Sequence, residues 1–123
     1  MNITTICIPT LQNQGLSSEI SMHFGKSPFF TFLKMENNEI KNVETVESRG
    51  RHTGGAITPA EIILNHNADV LVCGNLGSKA VNMLKNSGLK VYSGASGTVK
   101  EAVEKYLAGE LSTADDNSCT EKH

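Results

Sequence analysis

The stretch ADVLVCGNLGSKAVNMLKNSGLKVYSG, residues 68–94, decides the fold class because an amphipathic helix separates two short apolar strands in it. Residues 68–74 form a short apolar run, which is typical of a parallel strand buried on both faces. Residues 78–88 have apolar side chains at helical spacing and end at Gly88, a common residue after a helix. The apolar run LKVYSG, 89–94, predicts the next strand. This order predicts parallel strands joined by a crossover helix.

Two further helices flank this stretch. Thr58-Pro59-Ala60-Glu61 predicts a helix start, with a threonine cap, proline at the first helical position and Glu61 closing a capping box. Thr98 and Glu101 form a second capping box at the start of TVKEAVEKYLAGE, residues 98–110. Both signals place helices beside the parallel strands.

Three strands precede the first helix. NITTICIP, residues 2–9, predicts a strand buried on both faces. PFFTFLKM, residues 28–35, and EIKNVETVE, residues 39–47, flank Asn37-Asn38, which predicts a hairpin turn. The predicted order is β-β-β-α-β-α-β-α, an α/β sheet with helices on both faces. Residues 1–111 form the predicted domain, and residues 112–123 lack apolar periodicity and are expected to form a flexible tail.

The composition excludes several classes of protein. With 123 residues the chain is long enough for one domain, and its net charge of −2 argues against nucleic-acid binding through phosphate neutralisation. No apolar run approaches the ~20 residues that a membrane helix needs, and MNITTICIPT does not have the pattern of a signal peptide. We therefore expect a cytoplasmic protein. Three widely spaced cysteines exclude a disulfide framework, and those within apolar runs are expected to act as small hydrophobes.

The order of elements predicts where a site lies. If the helices are right-handed crossovers, the glycine-bearing loops 10–26, 48–57, 73–77 and 93–98 meet at one edge of the sheet, where open α/β sheets bind ligands. His23, His52, Cys73 and Ser96 would then surround one cleft. His66 and His123 lie among polar neighbours and are expected to face solvent.

His23 lies in SMHFGK, residues 21–26. Its ring is equally compatible with a structural hydrogen bond in a loop and with a ligand role. Phe24 can anchor the loop by burial, and Gly25 allows backbone conformations closed to other residues. A histidine held between them can keep a ring nitrogen exposed, and neutral imidazole is the commonest metal ligand.

A second candidate segment is RGRHTGG, residues 49–55. Arg49, Arg51 and His52 are typical of an anion clamp, although a solvated connector with no ligand is the better explanation for the arginines. The glycine loop 94–98 resembles a phosphate loop but lacks the spacing of either common motif, so tight turns explain its glycines as well. These loops support an alternative function, a small anion- or nucleotide-binding regulatory domain.

Catalysis is disfavoured by the distribution of carboxylates. A nuclease with bound metal ions on this type of sheet needs several carboxylates at the ligand-binding edge. The first strand has none, Asp69 starts a strand at the opposite edge, and Asp115 and Asp116 lie in the tail. Because no Ser-His-Asp or Cys-His arrangement is evident either, the sequence predicts a binding protein rather than an enzyme.

The segments ICIPT at 6–10, MHFGKSPFFTF at 22–32 and GASGTVKEAV at 94–103 carry a family resemblance. With the intervening residues they resemble the dinitrogenase iron–molybdenum cofactor biosynthesis family, of the NifX type and the C-terminal domain of NifB. The resemblance implies a ribonuclease H-like fold, a three-layer α/β/α arrangement with a five-stranded mixed sheet. The chain resembles a stand-alone, single-domain member.

The resemblance also implies a function. It implies that the protein, without catalysis, carries or stores an iron–sulfur or iron–molybdenum type cluster, or its precursor, between donor and acceptor assembly proteins. The cluster-binding histidine of the family's HFG motif matches His23, which is the expected metal ligand. The expected cluster-binding set is extended, as a hypothesis, to six more residues: Phe24, Gly25, Arg49, Arg51, His52 and Ser96. The arginines would offset the negative charge of a cluster. We expect a monomer or a weak homodimer, without nucleic acid or membrane partners.

Overall fold

The computed structural model describes residues 3–21, 27–47, 63–74 and 78–113. Its strands are β1 (Ile3–Thr10), β2 (Phe29–Glu36), β3 (Glu39–Glu47), β4 (Val70–Val72), β5 (Lys90–Ser93) and β6 (Ser112–Thr113). Its helices are α1 (Ser78–Asn86) and α2 (Val99–Ala108), and Gly15–Ser17 form a short 3₁₀ helix. Residues 63–65 are also helical; the predicted start of their helix, at Thr58, lies outside the described residues.

The strands form one mixed sheet in the order β3-β2-β1-β4-β5-β6. β1 pairs in parallel with β4, and β4 pairs in parallel with β5. β2 is antiparallel to both β1 and β3, and β6 is antiparallel to β5. The α/β class and the five predicted strands are confirmed. A sixth strand is added because Ser112 and Thr113 pair with Ser93 and Tyr92 at the end of the sheet.

The turn between β2 and β3 follows the sequence prediction. Asn37 and Asn38 have φ angles of 56° and 65°, the left-handed conformation that a two-residue hairpin turn with right-handed strand twist requires. Close to this turn, the register passes from Lys34–Asn42 to Met35–Ile40, so that Lys41 is an extra residue in β3. This bulge lies in the outermost strand of the sheet.

Helix α2 has the predicted capping box. The Thr98 hydroxyl accepts a hydrogen bond from the Glu101 N–H, and the Glu101 carboxylate accepts one from the Thr98 N–H at 2.9 Å. Gly109 ends the helix with a φ of 75°. Gly88, which follows α1, has a φ of 91°, as expected for a residue after a helix end.

The sheet separates two apolar layers. On one face Cys7, Phe30 and Leu71 pack with Val81 and Leu84 of α1. On the other face a second buried cluster joins the strands to α2; its central members are Ile6, Ile8, Leu33, Val72, Val99 and Val103. β1 contributes to both layers, as its apolar sequence predicts. The arrangement is the expected three-layer α/β/α fold. Among the described helices, none has the length and apolar character needed to span a bilayer.

Candidate functional site

Four strands end at the same edge of the sheet, which we call the carboxyl edge. β4 and β5 run parallel to β1, and β3 has the same direction because two antiparallel steps separate it from β1. The predicted strand directions are therefore confirmed. The loops that follow β1, β3, β4 and β5 all leave from this edge, where open α/β sheets bind ligands.

The chain that leaves β1 first turns toward the β4 side. Thr10 forms an antiparallel bridge with Ile20, and the Ser21 N–H donates to the Pro9 carbonyl at 2.9 Å. The Leu11 N–H donates to the Glu19 carbonyl at 2.8 Å. Residues 19–21 thus return alongside the end of β1. They lie on the same side of β1 as β4. β4 itself pairs with β1 at Ile6 and Cys7, which are farther from the carboxyl edge.

Residues 19–21 also contact the start of α2. Glu19 forms a bridge with Thr98, the Ile20 N–H donates to the Gly97 carbonyl at 2.8 Å, and the Val99 N–H donates to the Ser18 carbonyl at 2.9 Å. The loop after β1 and the loop after β5 are therefore joined by main-chain hydrogen bonds. These contacts fix the loop after β1 through backbone groups, independently of its side chains.

The chain re-enters the sheet on the opposite side of β1. Phe29, the first residue of β2, is the register partner of Thr10. The buried Ser27 hydroxyl lies 3.0 Å from the Thr10 carbonyl and 2.7 Å from the Phe29 carbonyl, and it donates to these acceptors. Residues 22–26 therefore connect a point on the β4 side of β1, at Ser21, to a point on its β2 side, at Ser27.

Hydroxyl groups, most of them buried, form hydrogen bonds beneath these two points. The Thr10 and Thr31 hydroxyls are 3.1 Å apart and share a hydrogen bond, and the Thr31 and Thr45 hydroxyls are 3.4 Å apart. The Ser18 hydroxyl donates to the Gln12 carbonyl at 3.0 Å. Among the described residues, no buried side-chain nitrogen or oxygen is left without a partner. A fully paired polar network of this kind gives the end of β1 a defined geometry.

Most predicted site residues lie outside the described part of the chain. These are His23, Phe24, Gly25, Arg49, Arg51 and His52, whose roles stay predictions. The anchoring serines, Ser21 and Ser27, were missed by the sequence analysis. No local signal marks them, because a serine in a polar loop is common and its burial depends on distant strands.

Ser96 is exposed in an open groove of about 500 Å³ beside α2. The charged residues that line this groove are three carboxylates and one ammonium group: Glu101, Glu104, Glu110 and Lys105. Since β5 lies two strands from β1, the loop bearing Ser96 leaves the sheet ~10 Å from the end of β1. The excess of carboxylates disfavours an anionic ligand at Ser96.

The start of α2 is also a poor anion site. The N–H groups of Thr98, Val99 and Glu101 donate to the Glu101 carboxylate, the Ser18 carbonyl and the Thr98 hydroxyl. The first turn thus has few free donors, and its capping carboxylate would repel an anion. These contacts disfavour the GASGT loop as a phosphate site and weaken the alternative of an anion-binding regulatory domain.

The cysteines in the described ranges are core residues. Cys73 is fully buried, which corrects the expectation that it lines a cleft: its side chain points into the layer covered by α1. Burial raises the pKa of the Cys73 thiol to about 12. The pKa of Cys7 is also raised well above its ordinary value, first by burial and then by the charge of Cys73. Both thiols are therefore protonated near neutral pH, and their burial in the core keeps them away from a ligand at the carboxyl edge.

The sequence predicted that His66 faces solvent, and this prediction is only partly right. Its ring is half-buried and stacks on Phe32, with a centroid distance of 4.7 Å and an interplanar angle of 22°. It precedes β4 and so lies at the edge opposite to the carboxyl edge. Within the described ranges, no three His, Cys, Asp or Glu side chains are grouped in a way that could hold a metal ion.

Comparison with known proteins gives relatives of similar length. An uncharacterized protein of Methanocaldococcus jannaschii is 32% identical over 97 residues, which cover 77% of this chain and 82% of that protein. The NMR structure of a NifB-like protein from Thermotoga is 29% identical, with a TM-score of 0.70 over 89% of this chain and 92% of that one.

The apo form of the orange protein from Desulfovibrio gigas is 24% identical, with a TM-score of 0.75 over 92% of this chain and 94% of that one, and shows the shared fold. The family model described as dinitrogenase iron-molybdenum cofactor matches residues 4–109, nearly the whole described sheet and both helices. The match confirms the resemblance drawn from the HFG and GASGTVKEAV motifs. The chain therefore belongs to the dinitrogenase iron–molybdenum cofactor family.

Proposed function

We propose that the protein binds an iron–sulfur or iron–molybdenum type cluster, or its precursor, as cargo and carries it between a donor and an acceptor assembly protein. The protein does not transform the cargo and acts in the cytoplasm as a monomer or weak homodimer. Family membership supports the class of cargo. Residues 1–111 form the functional domain in this proposal; of the predicted tail, residues 112–123, Ser112 and Thr113 pair with β5 as strand β6.

One observation carries the proposal: the two residues that flank the segment containing His23 are hydrogen-bonded on opposite sides of β1 at the carboxyl edge. Ser21 is hydrogen-bonded to Pro9 on the β4 side, and Ser27 to Thr10 on the β2 side. Covalent geometry keeps a residue two positions from a fixed one within ~7 Å of it. A cluster ligated by His23 would therefore lie near the end of the central strand.

Charge favours the β3 side of this edge for an anionic cargo. The loop with Arg49, Arg51 and His52 follows Glu47, and β3 lies two strands, or ~10 Å, from β1. Arginine side chains are long enough to act across part of that distance, and they bind anions through several donors. Ser96 leaves the sheet on the opposite side, beside three glutamates, and is the weakest member of the proposed binding set.

The ligand set suits a carrier. Stable iron–sulfur clusters are usually held by four thiolates, whereas Cys7 and Cys73 are buried and protonated. A histidine ligand with cationic and main-chain donors holds a cluster by fewer bonds, so the cargo can be exchanged. Phe24 and Gly25 would hold the His23 ring toward the cargo by burial and by backbone freedom.

The test is anaerobic titration of the purified protein with ferrous iron and sulfide, and separately with isolated iron–molybdenum cofactor. The wild-type protein is expected to acquire a visible cluster absorption that His23→Ala loses. His66→Gln is the matched control, because His66 stacks on Phe32 at the opposite edge and should leave uptake unchanged. Equal uptake by wild type and His23→Ala would refute His23 as the ligand. No uptake of either cluster by wild type would refute the carrier function.

A further inference from the structure

We propose that a groove at the edge opposite to the carboxyl edge binds an uncharged, flat heteroaromatic molecule of one or two rings. The groove has a volume of about 350 Å³, at the small end of the range for ligand sites. Its described walls come from the start of β1, the end of β2 with the hairpin turn that follows it, and the last turn of α2. The inference does not depend on the cargo, because these walls lie at the other end of the sheet.

Regular secondary structure fixes the shape of this groove. Thr4 and Met35 are register partners in β1 and β2, so their relative position is set by the sheet. Asn37 and Asn38 have the left-handed φ angles of the hairpin turn, which define the backbone that carries their amides. A ligand would therefore meet walls that need little ordering, and less free energy is lost on binding.

The apolar part of the groove favours an aromatic ring. Ile6 is fully buried and Met35 is 5% exposed, so both lie at the floor, whereas Leu107 is 42% exposed and lies at the rim. The Tyr106 ring packs edge-to-face on Tyr92, with a centroid distance of 5.2 Å and an interplanar angle of 81°, and so forms an aromatic wall of defined orientation. Aromatic rings pack favourably on such a wall and on the polarisable thioether of methionine. An aliphatic molecule of the same size would gain less from either contact.

The polar groups of the groove favour a ligand without charge. They are hydroxyls and side-chain amides, those of Thr4, Tyr106, Asn37 and Asn38, and the described lining contains no charged side chain. Burial, and then the charges of Tyr92 and Asp69, raise the pKa of Tyr106, so its hydroxyl stays neutral near neutral pH. An ionised ligand would lose hydration in this groove without gaining an opposite charge. Amides and hydroxyls can instead pair with the ring nitrogens and N–H groups of a heterocycle.

The experiment compares three molecules that share an indole ring and have side chains of similar length. Tryptophol is uncharged, tryptamine is cationic and indole-3-acetate is anionic. Each is titrated into the unloaded wild-type protein, and binding is followed by the amide NMR signals. Tryptophol is expected to shift the signals of Thr4, Asn38 and Leu107 and to bind at least about threefold more tightly than either charged molecule. The non-aromatic 2-cyclohexylethanol is expected to bind more weakly than tryptophol.

A substitution at the rim localises the site. Leu107→Lys removes apolar contact surface and adds a charge, and tryptophol should bind about tenfold more weakly to it. Because Leu107 is an exposed helical residue, the fold should persist. Met83→Lys is the matched control, since Met83 is also an exposed apolar helical residue but belongs to α1, which packs on the other face of the sheet. This variant should bind tryptophol as wild type does.

Three results would overturn the site: no shifts with tryptophol, shifts spread over the whole surface, or equal binding by wild type and Leu107→Lys. Tighter binding of tryptamine or indole-3-acetate than of tryptophol would overturn the uncharged class of ligand. Equal binding of 2-cyclohexylethanol would overturn the aromatic class. All these measurements are made without a cluster, so failure of the carrier function would leave them unaffected.

Discussion

The thiol of Cys73 should be almost unreactive in the folded protein. Cys73 is fully buried beneath α1, its Sγ lies 3.6 Å from the Tyr92 carbonyl, and burial raises its pKa to about 12. The perturbation is alkylation with iodoacetamide, which requires the thiolate. The outcome bears on function because a thiol that does not ionise is a poor ligand for a cluster.

The expected effect follows from the two ionisation states. At about pH 8, a cysteine with the ordinary pKa of 9.0 is about one-tenth thiolate, whereas a pKa of about 12 leaves about one thiolate in ten thousand. Ionisation alone should therefore slow alkylation of Cys73 by about a thousandfold. Burial beneath the helix restricts access of the reagent and should slow it further.

The assay follows labelling of each cysteine peptide by mass spectrometry, in buffer and in concentrated guanidinium chloride. The unfolded chain is the control because it exposes the same residue with an ordinary pKa. Cys73 should label at least a hundredfold more slowly in the folded protein. A folded-state rate within tenfold of the unfolded rate would refute the core assignment and return Cys73 to the candidate ligands.

Two predictions concern stability. The pKa of Cys73 is 9.0 in the unfolded chain and about 12 in the folded protein, so its proton stabilises the folded state fully below about pH 9. As the pH rises from about 9 to about 12, the free energy of unfolding should fall by about 1.4 kcal/mol per pH unit. When the free energy of unfolding, measured with guanidinium chloride, is plotted against pH across this range, Cys73→Ala should show a shallower slope than wild type. Identical slopes would contradict the assignment. Gly97→Ala should destabilise the protein by about 1 kcal/mol more than Gly94→Ala. Both glycines have φ angles near 90°, but only at Gly97 would a methyl group collide with the Glu101 carboxylate that caps α2; equal unfolding free energies would argue against that collision.

The features that followed from the sequence are those with local causes. The hairpin at Asn37-Asn38 and the capping box of Thr98 with Glu101 each depend on residues within one turn of chain, and both are present. The strand directions followed from β1 being buried on both faces and from the handedness of crossover helices. These rules were sufficient to predict which strands end at the carboxyl edge.

The features that were missed depend on distant partners. β6 has two residues and exists because it pairs with Tyr92 and Ser93, which no period within residues 112–113 could indicate. His66 has polar neighbours in sequence but stacks on Phe32 of β2. The placement of residues 19–21 beside Thr98 likewise depends on backbone bonds between segments far apart in the chain. His23, Arg49, Arg51 and His52 stay predictions for the site.

The outer edge of β3 has a consequence for the behaviour of the protein at high concentration. β3 is the outermost strand of the described sheet, and such an edge is a template for strand pairing between molecules. Its bulge at Lys41 interrupts the regular ladder, and it carries carboxylates along its length, at Glu39, Glu44 and Glu47. A second copy adding antiparallel to this edge would bring like charges together and meet an irregular register. The bulge and the glutamates therefore protect this edge strand against aggregation.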